Sequence, residues 1–337
     1  MRQKVLVGLS GGVDSAYCCH LLREMGYEPV GAFLRFHSLS DPAPALALAE
    51  RLGMECVVED VSEVFEQRVI GDFLSSYPKG RTPNPCAVCN RFAKIPGLIA
   101  CADALGIEKI ATGHYVRLCP TEEGTQIYMA EDKSRDQSYF LWDVPQEALS
   151  RMITPLWQVI KKQIPPQYGE MVCAGESREL CFAETGYVEY LRSRGIQCPE
   201  GEFVDSSGRV LGRHGGIQRY TVGQRKGLDI ALGRRCYVLA IEPENNRVVL
   251  GFEEEACCHA FTAKQLRFAG TKPFSEQREL TVKVRYGARP VPVKVHVEGD
   301  VCRGEFLLPQ KPVAPGQSAV FYEGERLLFG GVIEESE

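Results

Sequence analysis

The chain has 337 residues, 44% of them hydrophobic, and a formal net charge of −5. Its length predicts two or three domains rather than one core. No apolar run approaches the ~20 residues of a membrane span, and the charge argues against indiscriminate nucleic-acid binding. Met1-Arg2-Gln3-Lys4 leads straight into an apolar strand, which leaves no room for a signal peptide and predicts a cytoplasmic protein. The fourteen cysteines, with neighbours at Cys18-Cys19 and Cys257-Cys258, do not read as a secreted disulfide framework, and most are expected to be small buried hydrophobes.

Val5-Leu6-Val7 is short, apolar and β-branched, and a helical pattern runs from Ser15 through Leu21, Leu22 and Met25 to Gly26. Gly8-Leu9-Ser10-Gly11-Gly12-Val13-Asp14-Ser15 is therefore a tight strand-to-helix turn. Its glycines allow close approach of the backbone, and amides at the helix start point toward negative charge. Serine hydroxyls add donors, and Asp14 either orients the loop or helps to hold a magnesium ion. No lysine follows the glycines, which disfavours transfer of a γ-phosphate. Ser-Gly-Gly-Val-Asp-Ser resembles the signature of ATP pyrophosphatases, which cleave ATP between its α and β phosphates and leave an adenylate.

Further on come a strand near 29–36, a helix near 42–52 with Asp41 as its cap, a strand near 55–61 and a helix near 63–75. A helix over 91–105 and a strand at 109–112 follow. This alternation predicts a doubly wound parallel sheet with its ligand outside the carboxyl ends of the strands, where the glycine loop and Gly113-His114 fall.

Thr82-Pro83-Asn84-Pro85-Cys86-Ala87-Val88-Cys89-Asn90 is an extended, proline-stiffened loop whose Cys-x-x-Cys leads into a helix, whose first amides are expected to stabilise a thiolate. Such a pair suits redox chemistry, half a zinc site or part of an iron-sulfur site, and no second pair of zinc spacing exists. A further cysteine, Cys181, stands in Glu179-Leu180-Cys181-Phe182 between helical segments.

From about Gly201 the texture changes to short strands with Gly and Asn turns: 235–242, 247–251, 280–285, 291–297, 304–308 and 318–322. They predict small β modules, a barrel or sandwich, divided near 253–259. Between Arg209 and Arg235 seven basic residues face one acid, Asp229, a patch able to attract a polyanion.

Together, Gly8 to Ser15, Thr82 to Asn90, Ala111 to Tyr115, Asp136 to Leu141, Leu180-Cys181-Phe182, Thr221 to Leu228 and Pro315-Gly316-Gln317 resemble the tRNA-specific 2-thiouridylases. The resemblance implies an α/β ATP pyrophosphatase domain (1–198), a central β domain (199–258) and a C-terminal β-barrel (259–337). It implies ATP, with Mg2+, on Gly8 to Ser15, with Leu34 and Gly113 near the adenosine. Asn84, Pro85 and Cys86 would meet the target base, and His114, Arg135, Asp136, Gln137, Arg285, Tyr286 and Gln317 would touch tRNA. Cys89 and Cys181 match the family's two essential cysteines.

The chain departs from the family where Cys86 replaces an aspartate, where Leu34 replaces methionine, where Arg135 replaces lysine and where a short segment follows Phe36. With Cys86, two sulfur routes compete. Either Cys181 carries a persulfide from a donor protein and Cys89 releases it by forming a disulfide, or Cys86, Cys89 and Cys181 hold a [4Fe-4S] cluster that binds sulfide. The extra cysteine favours the cluster. Outside this family, the readings are an ATP pyrophosphatase adenylating a small molecule and a noncatalytic RNA-binding or iron-sulfur carrier.

Overall fold

The computed structural model describes residues 2–172 and 180–337; Cys173, one of the fourteen cysteines, and Glu179, which precedes Leu180-Cys181, lie outside the described residues. The first strands are β1 (Lys4–Gly8), β2 (Glu28–Arg35), β3 (Cys56–Asp60) and β4 (Lys109–Ala111). Next come a hairpin, β5 (Val116–Thr121) and β6 (Gly124–Met129), and a short β7 (Met152–Ile153). Parallel pairing in the order β3-β2-β1-β4-β7 makes the expected doubly wound sheet. Val5, Leu6 and Val7 are wholly buried, which is why this strand is apolar on both faces rather than alternating. With β2 on one side of β1 and β4 on the other, the strand order reverses there, and the carboxyl ends of β1 and β4 flank a crevice.

Two helices differ from their sequence expectation. The helix after the glycine loop, α1, spans Val13–Glu24 and so begins before Ser15. First-turn amides have no partner within the helix, so these residues need not follow its apolar rhythm. The helix expected from residue 91 begins at Pro85, with α-helical Pro85–Cys89, π-helical Asn90–Lys94 and α-helical Ile95–Ala104. Pro96 has no N–H to return to the preceding turn, and the backbone widens just ahead of it. The Cys-x-x-Cys therefore lies inside the helix instead of leading into it.

The β region contains β8 (Gly201–Val204), β9 (Val210–His214), β10 (Cys236–Glu242) and β11 (Arg247–Phe252), in the order β10-β11-β8-β9. It continues with β12 (Cys258–Phe268), β13 (Arg278–Lys283), β14 (Val291–Glu298), β15 (Val301–Gln310), β16 (Ser318–Glu323) and β17 (Arg326–Ser336). Pairing of β12 with β17 closes these six into a barrel. The β5–β6 hairpin, which the sequence reading passed over, pairs with β17, Ile127 opposite Leu327. The first domain and the barrel thus share a sheet, and also a core: Leu6, Leu98 and Ile110 belong to the same buried cluster as Trp142, Val320, Tyr322 and Leu327. Among the described residues no helix is long and apolar enough to cross a membrane.

Candidate active site

At the carboxyl end of β1 the chain turns through Ser10-Gly11-Gly12. Gly11 has φ +79°, and a Cβ there would lie 2.8 Å from the Pro44 backbone, so the turn accepts only glycine. Ser15 Oγ donates to the Gly12 carbonyl at 2.8 Å, and Ser10 Oγ accepts from the Gly12 amide at 3.3 Å. The first amides of a helix have no partner within it, and those of α1 are available to an anion. Asp14 Oδ1 accepts two bonds, from Tyr115 Oη and from Lys161 Nζ, each at 2.6 Å.

This loop is one wall of a cavity of about 470 Å³. Gly8, Leu9, Ser10, Asp14 and Ser15 form that wall, and Leu34 and Gly113 lie beside it. Gly11, Gly12 and Val13 complete the turn behind them. His114, Gln137, Lys94 and Cys181 line the same cavity, which puts a thiol in the chamber of the glycine loop. A larger cavity, about 740 Å³, lies behind the thiol loop against Asn84, Arg81 and the barrel, and is lined by neither the three thiols nor the glycine loop.

Cys181 is held from two sides. Phe182 packs edge-on against Phe65 and Phe73, with centroids 5.9 and 5.1 Å away, and the His37 ring meets the Cys181 backbone. His37 sits in the short segment after Phe36 and had no motif to mark it. Asn84 caps the thiol helix through its Oδ1, which accepts from the Ala87 amide at 3.3 Å. Asn84 Nδ2 and Trp142 Nε1 both donate to Ser318 Oγ at 3.0 Å. Gln317 Nε2 donates to the carbonyls of Thr82 and Pro83, each at 3.1 Å, and the Thr82 amide donates to the Pro315 carbonyl at 2.8 Å. The barrel thus fixes the loop that carries Cys86 and Cys89. Pro85 is buried at the start of that helix.

Burial decides the resting state of the thiols. It pushes Cys89 up to about 12 and raises Cys86 and Cys181 as well, although solvent reaches both of the latter from one side. Lys94 is the cation that opposes burial at all three, and its amide also reaches Cys89 through the π-helical turn. The expectation of thiolates stabilised by helix amides is therefore corrected: desolvation outweighs the helix terminus, and the thiols rest protonated. His114 is 8% exposed, accepts or donates at Nδ1 with Thr112 Oγ1 at 2.8 Å, and is lowered to about 3, first by burial and then by Lys94. It is neutral and cannot pair ionically with a phosphate.

A [4Fe-4S] cluster needs three thiolates converging on one point. Cys86, Cys89 and Cys181 are close enough to perturb one another, but among the described residues no three of His, Cys, Asp or Glu are grouped to hold a metal ion. As placed, the donor set does not fit a cluster, and no step is derived through one.

The remaining expected RNA contacts divide into two groups. Arg135, Arg285 and Tyr286 are exposed, and the Tyr286 ring lies on Phe140 with centroids 4.4 Å apart. Asp136 turns inward instead. Its carboxylate accepts from Ala130 N, Ser138 N, Ser138 Oγ and Lys283 Nζ, and it is 3% exposed, so it cannot itself reach a bound RNA. Gln317 spends its amide on the thiol loop, as described. Lys94 and Lys161 were missed by the sequence reading, because a single lysine carries no periodic or motif signal.

Family profiles match the chain in three successive stretches. These are a tRNA methyl transferase HUP domain over residues 3–185, a tRNA methyl transferase PRC-barrel domain over 189–252 and an aminomethyltransferase beta-barrel domain over 258–333. The tRNA-specific 2-thiouridylase MnmA 3 of Bacteroides fragilis is 41% identical over 98% of this chain and 94% of its own length. The tRNA-specific 2-thiouridylase MnmA of a Nitratiruptor species is 38% identical over 99% of this chain and all of its own. That of Acidithiobacillus ferrooxidans is 40% identical over 99% of both. Likeness of this extent takes in the glycine loop, the thiol loop and both β modules, and the chain belongs to the tRNA-specific 2-thiouridylase family.

Proposed function

We propose that the chain replaces the C2 oxygen of the wobble uridine of tRNA by sulfur, in the cytoplasm, at the expense of ATP. The observation that carries this reading is that Cys181 and the glycine loop line one cavity of about 470 Å³, so that activation and sulfur attack share a chamber. The C2 carbonyl is a poor electrophile with oxide as its leaving group. Its oxygen attacks the α-phosphorus, pyrophosphate departs, and C2 then bears AMP as a leaving group. Asp14, Ser10 and Ser15 are the residues that would hold Mg2+ beside the triphosphate, where the ion supplies charge neutralisation.

Sulfur arrives as a persulfide on Cys181, passed on by a donor protein. Its outer sulfur forms the bond to C2 while the C2–O bond breaks and AMP carries off the electron pair. Cys89, as thiolate, attacks Cys181 Sγ; the S–S bond breaks with its pair on the transferred sulfur, leaving a Cys89–Cys181 disulfide and 2-thiouridine. A thiol reductant resets the pair. Because both thiols rest protonated, each must lose its proton before it acts.

In this reading residues 1–198 adenylate, and 199–258 and 259–337 hold the tRNA by its phosphates, helped by the basic stretch from Arg209 to Arg235. Arg135, Arg285 and Tyr286 support the stem-loop from the surface. The flipped base passes Asn84, Pro85 and Cys86 to reach His114 and Gln137. Asp136 and Gln317 serve from behind, by positioning.

The test is mass spectrometry of nucleosides from tRNA incubated anaerobically with the protein, MgATP and a persulfide or sulfide source, with iron assayed in parallel. Iron-free protein that forms 2-thiouridine from the persulfide source supports the persulfide route; sulfide, which cannot become a persulfide's outer sulfur without an oxidant, instead reports direct attack on the activated base. Activity that tracks about four irons per chain would replace that route by a cluster. Pyrophosphate release with no 2-thiouridine would move the function to adenylation of a small molecule.

A further inference from the structure

The nucleotide loop has no lysine of its own, yet cleavage between the α and β phosphates leaves the highly charged pyrophosphate against a turn whose amides and hydroxyls are joined by a carboxylate, Asp14, and by no cation of the turn itself. The fold brings a lysine there from elsewhere. Lys161 Nζ lies 2.6 Å from Asp14 Oδ1, with 147 residues of chain between them. Its segment follows β7 at the carboxyl edge of the sheet, and the flanking Val159 and Ile164 pack onto the core beneath α1. The backbone is therefore anchored while the side chain, 26% exposed, extends over the loop. Lys162, next in sequence, is exposed. Tyr115 Oη donates to the same Asp14 oxygen, so the carboxylate keeps a partner when the ammonium leaves.

We propose that Lys161 is the pyrophosphate-binding cation of the adenylation step, resting on Asp14 until nucleotide arrives. This rests on the reading that the loop splits ATP at its α phosphate. On binding, the ammonium exchanges the Asp14 carboxylate for the β and γ phosphates, and Asp14 is released toward the divalent cation. As the uridine oxygen bonds to the α-phosphorus, the bond to the bridging oxygen breaks and its electron pair leaves on pyrophosphate. Lys161 meets that charge without giving up a proton.

Inorganic pyrophosphate and AMP, titrated separately by calorimetry into the wild type, Lys161→Met and Lys161→Arg, test this. Lys161→Met is expected to bind pyrophosphate about tenfold more weakly, the loss of one charge-assisted hydrogen bond, with AMP affinity within about twofold of wild type. Lys161→Arg is expected to recover part of the loss. Equal pyrophosphate affinity in the wild type and Lys161→Met overturns the proposal. A second measurement needs no variant: in the wild-type protein, pyrophosphate but not AMP should protect Lys161 from acetylation, read by peptide mass spectrometry, and an unprotected Lys161 also overturns it. Should the wild type release ADP instead of AMP from ATP, the functional reading fails, while the binding result still stands on its own.

Discussion

The Lys283 ammonium lies 3.4 Å from the Asp136 carboxylate, with side chains 7% and 1% exposed, and the pair ties β13 of the barrel to the loop that ends in Gln137. Four donors converge on that carboxylate, which keeps a buried charge tolerable. Lys283→Met, which strands it, should lower stability by roughly 3 to 5 kcal/mol in urea unfolding. Lys283→Met with Asp136→Leu should cost less than the two single losses added together; strict additivity would show that the pair is not coupled.

Gln317 and Gly316 position the thiol loop without touching a reacting atom. A Cβ on Gly316, which has φ +90°, would lie 2.9 Å from the Thr82 carbonyl oxygen. Gln317→Ala and Gly316→Ala should each slow 2-thiouridine formation by about tenfold or more through misplacement, while ATP affinity stays within about twofold. A parallel loss of ATP affinity would place the defect in the fold and not in the loop.

Thiol reactivity should follow burial. Iodoacetamide at pH ~7.5 is expected to label Cys86 and Cys181, which solvent reaches, well before Cys89, which burial pushes up to about 12. The Cys89 rate should climb roughly tenfold per pH unit up to about pH 10, because only the thiolate reacts. Lys94→Met should slow labelling of all three. Peptide mass spectrometry reads each site, and a Cys89 rate that is flat above neutral pH would refute the protonated resting state.

His114 makes the fold acid-sensitive. Its pKa falls from about 6.5 in the unfolded chain to about 3, so between those values the unfolded state binds the extra proton and stability declines with falling pH. The loss from about pH 7 to about pH 5 amounts to about 2 kcal/mol. Unfolding free energies from urea titration at the two pH values should differ by less in His114→Gln, by about that amount. An unchanged difference would mean that His114 titrates normally.

Legibility in the sequence followed local signals. The glycine loop could be read because a β-branched run ends in two glycines, and β13 to β16 because their residues alternate. β17 was overlooked although Leu327-Leu328-Phe329 is apolar, since Gly330-Gly331 reads as a turn. Gly330 is there for close packing: a Cβ on it would lie 2.6 Å from the Trp142 ring. The β5–β6 hairpin hides behind Arg117 and Glu122-Glu123, and its partner is about 200 residues further on, at Leu327. The protonated thiols, the inward Asp136 and both lysines depend on which surfaces meet, and no spacing along the chain encodes that.

Pairing of Ile127 with Leu327 has a consequence for the order of events during synthesis. β1 to β4 are complete by Ala111, so a nascent chain can shape its nucleotide turn early. The carbonyls of Thr82 and Pro83 wait for Gln317, and the edge of β6 waits for the final strand. An unfinished polypeptide therefore lacks the bonds that hold the thiol loop in place until its last strands are made. Pulse proteolysis of ribosome-stalled chains ending near residue 310 should find the segment around Cys86 cleavable, and protection there would contradict this timing.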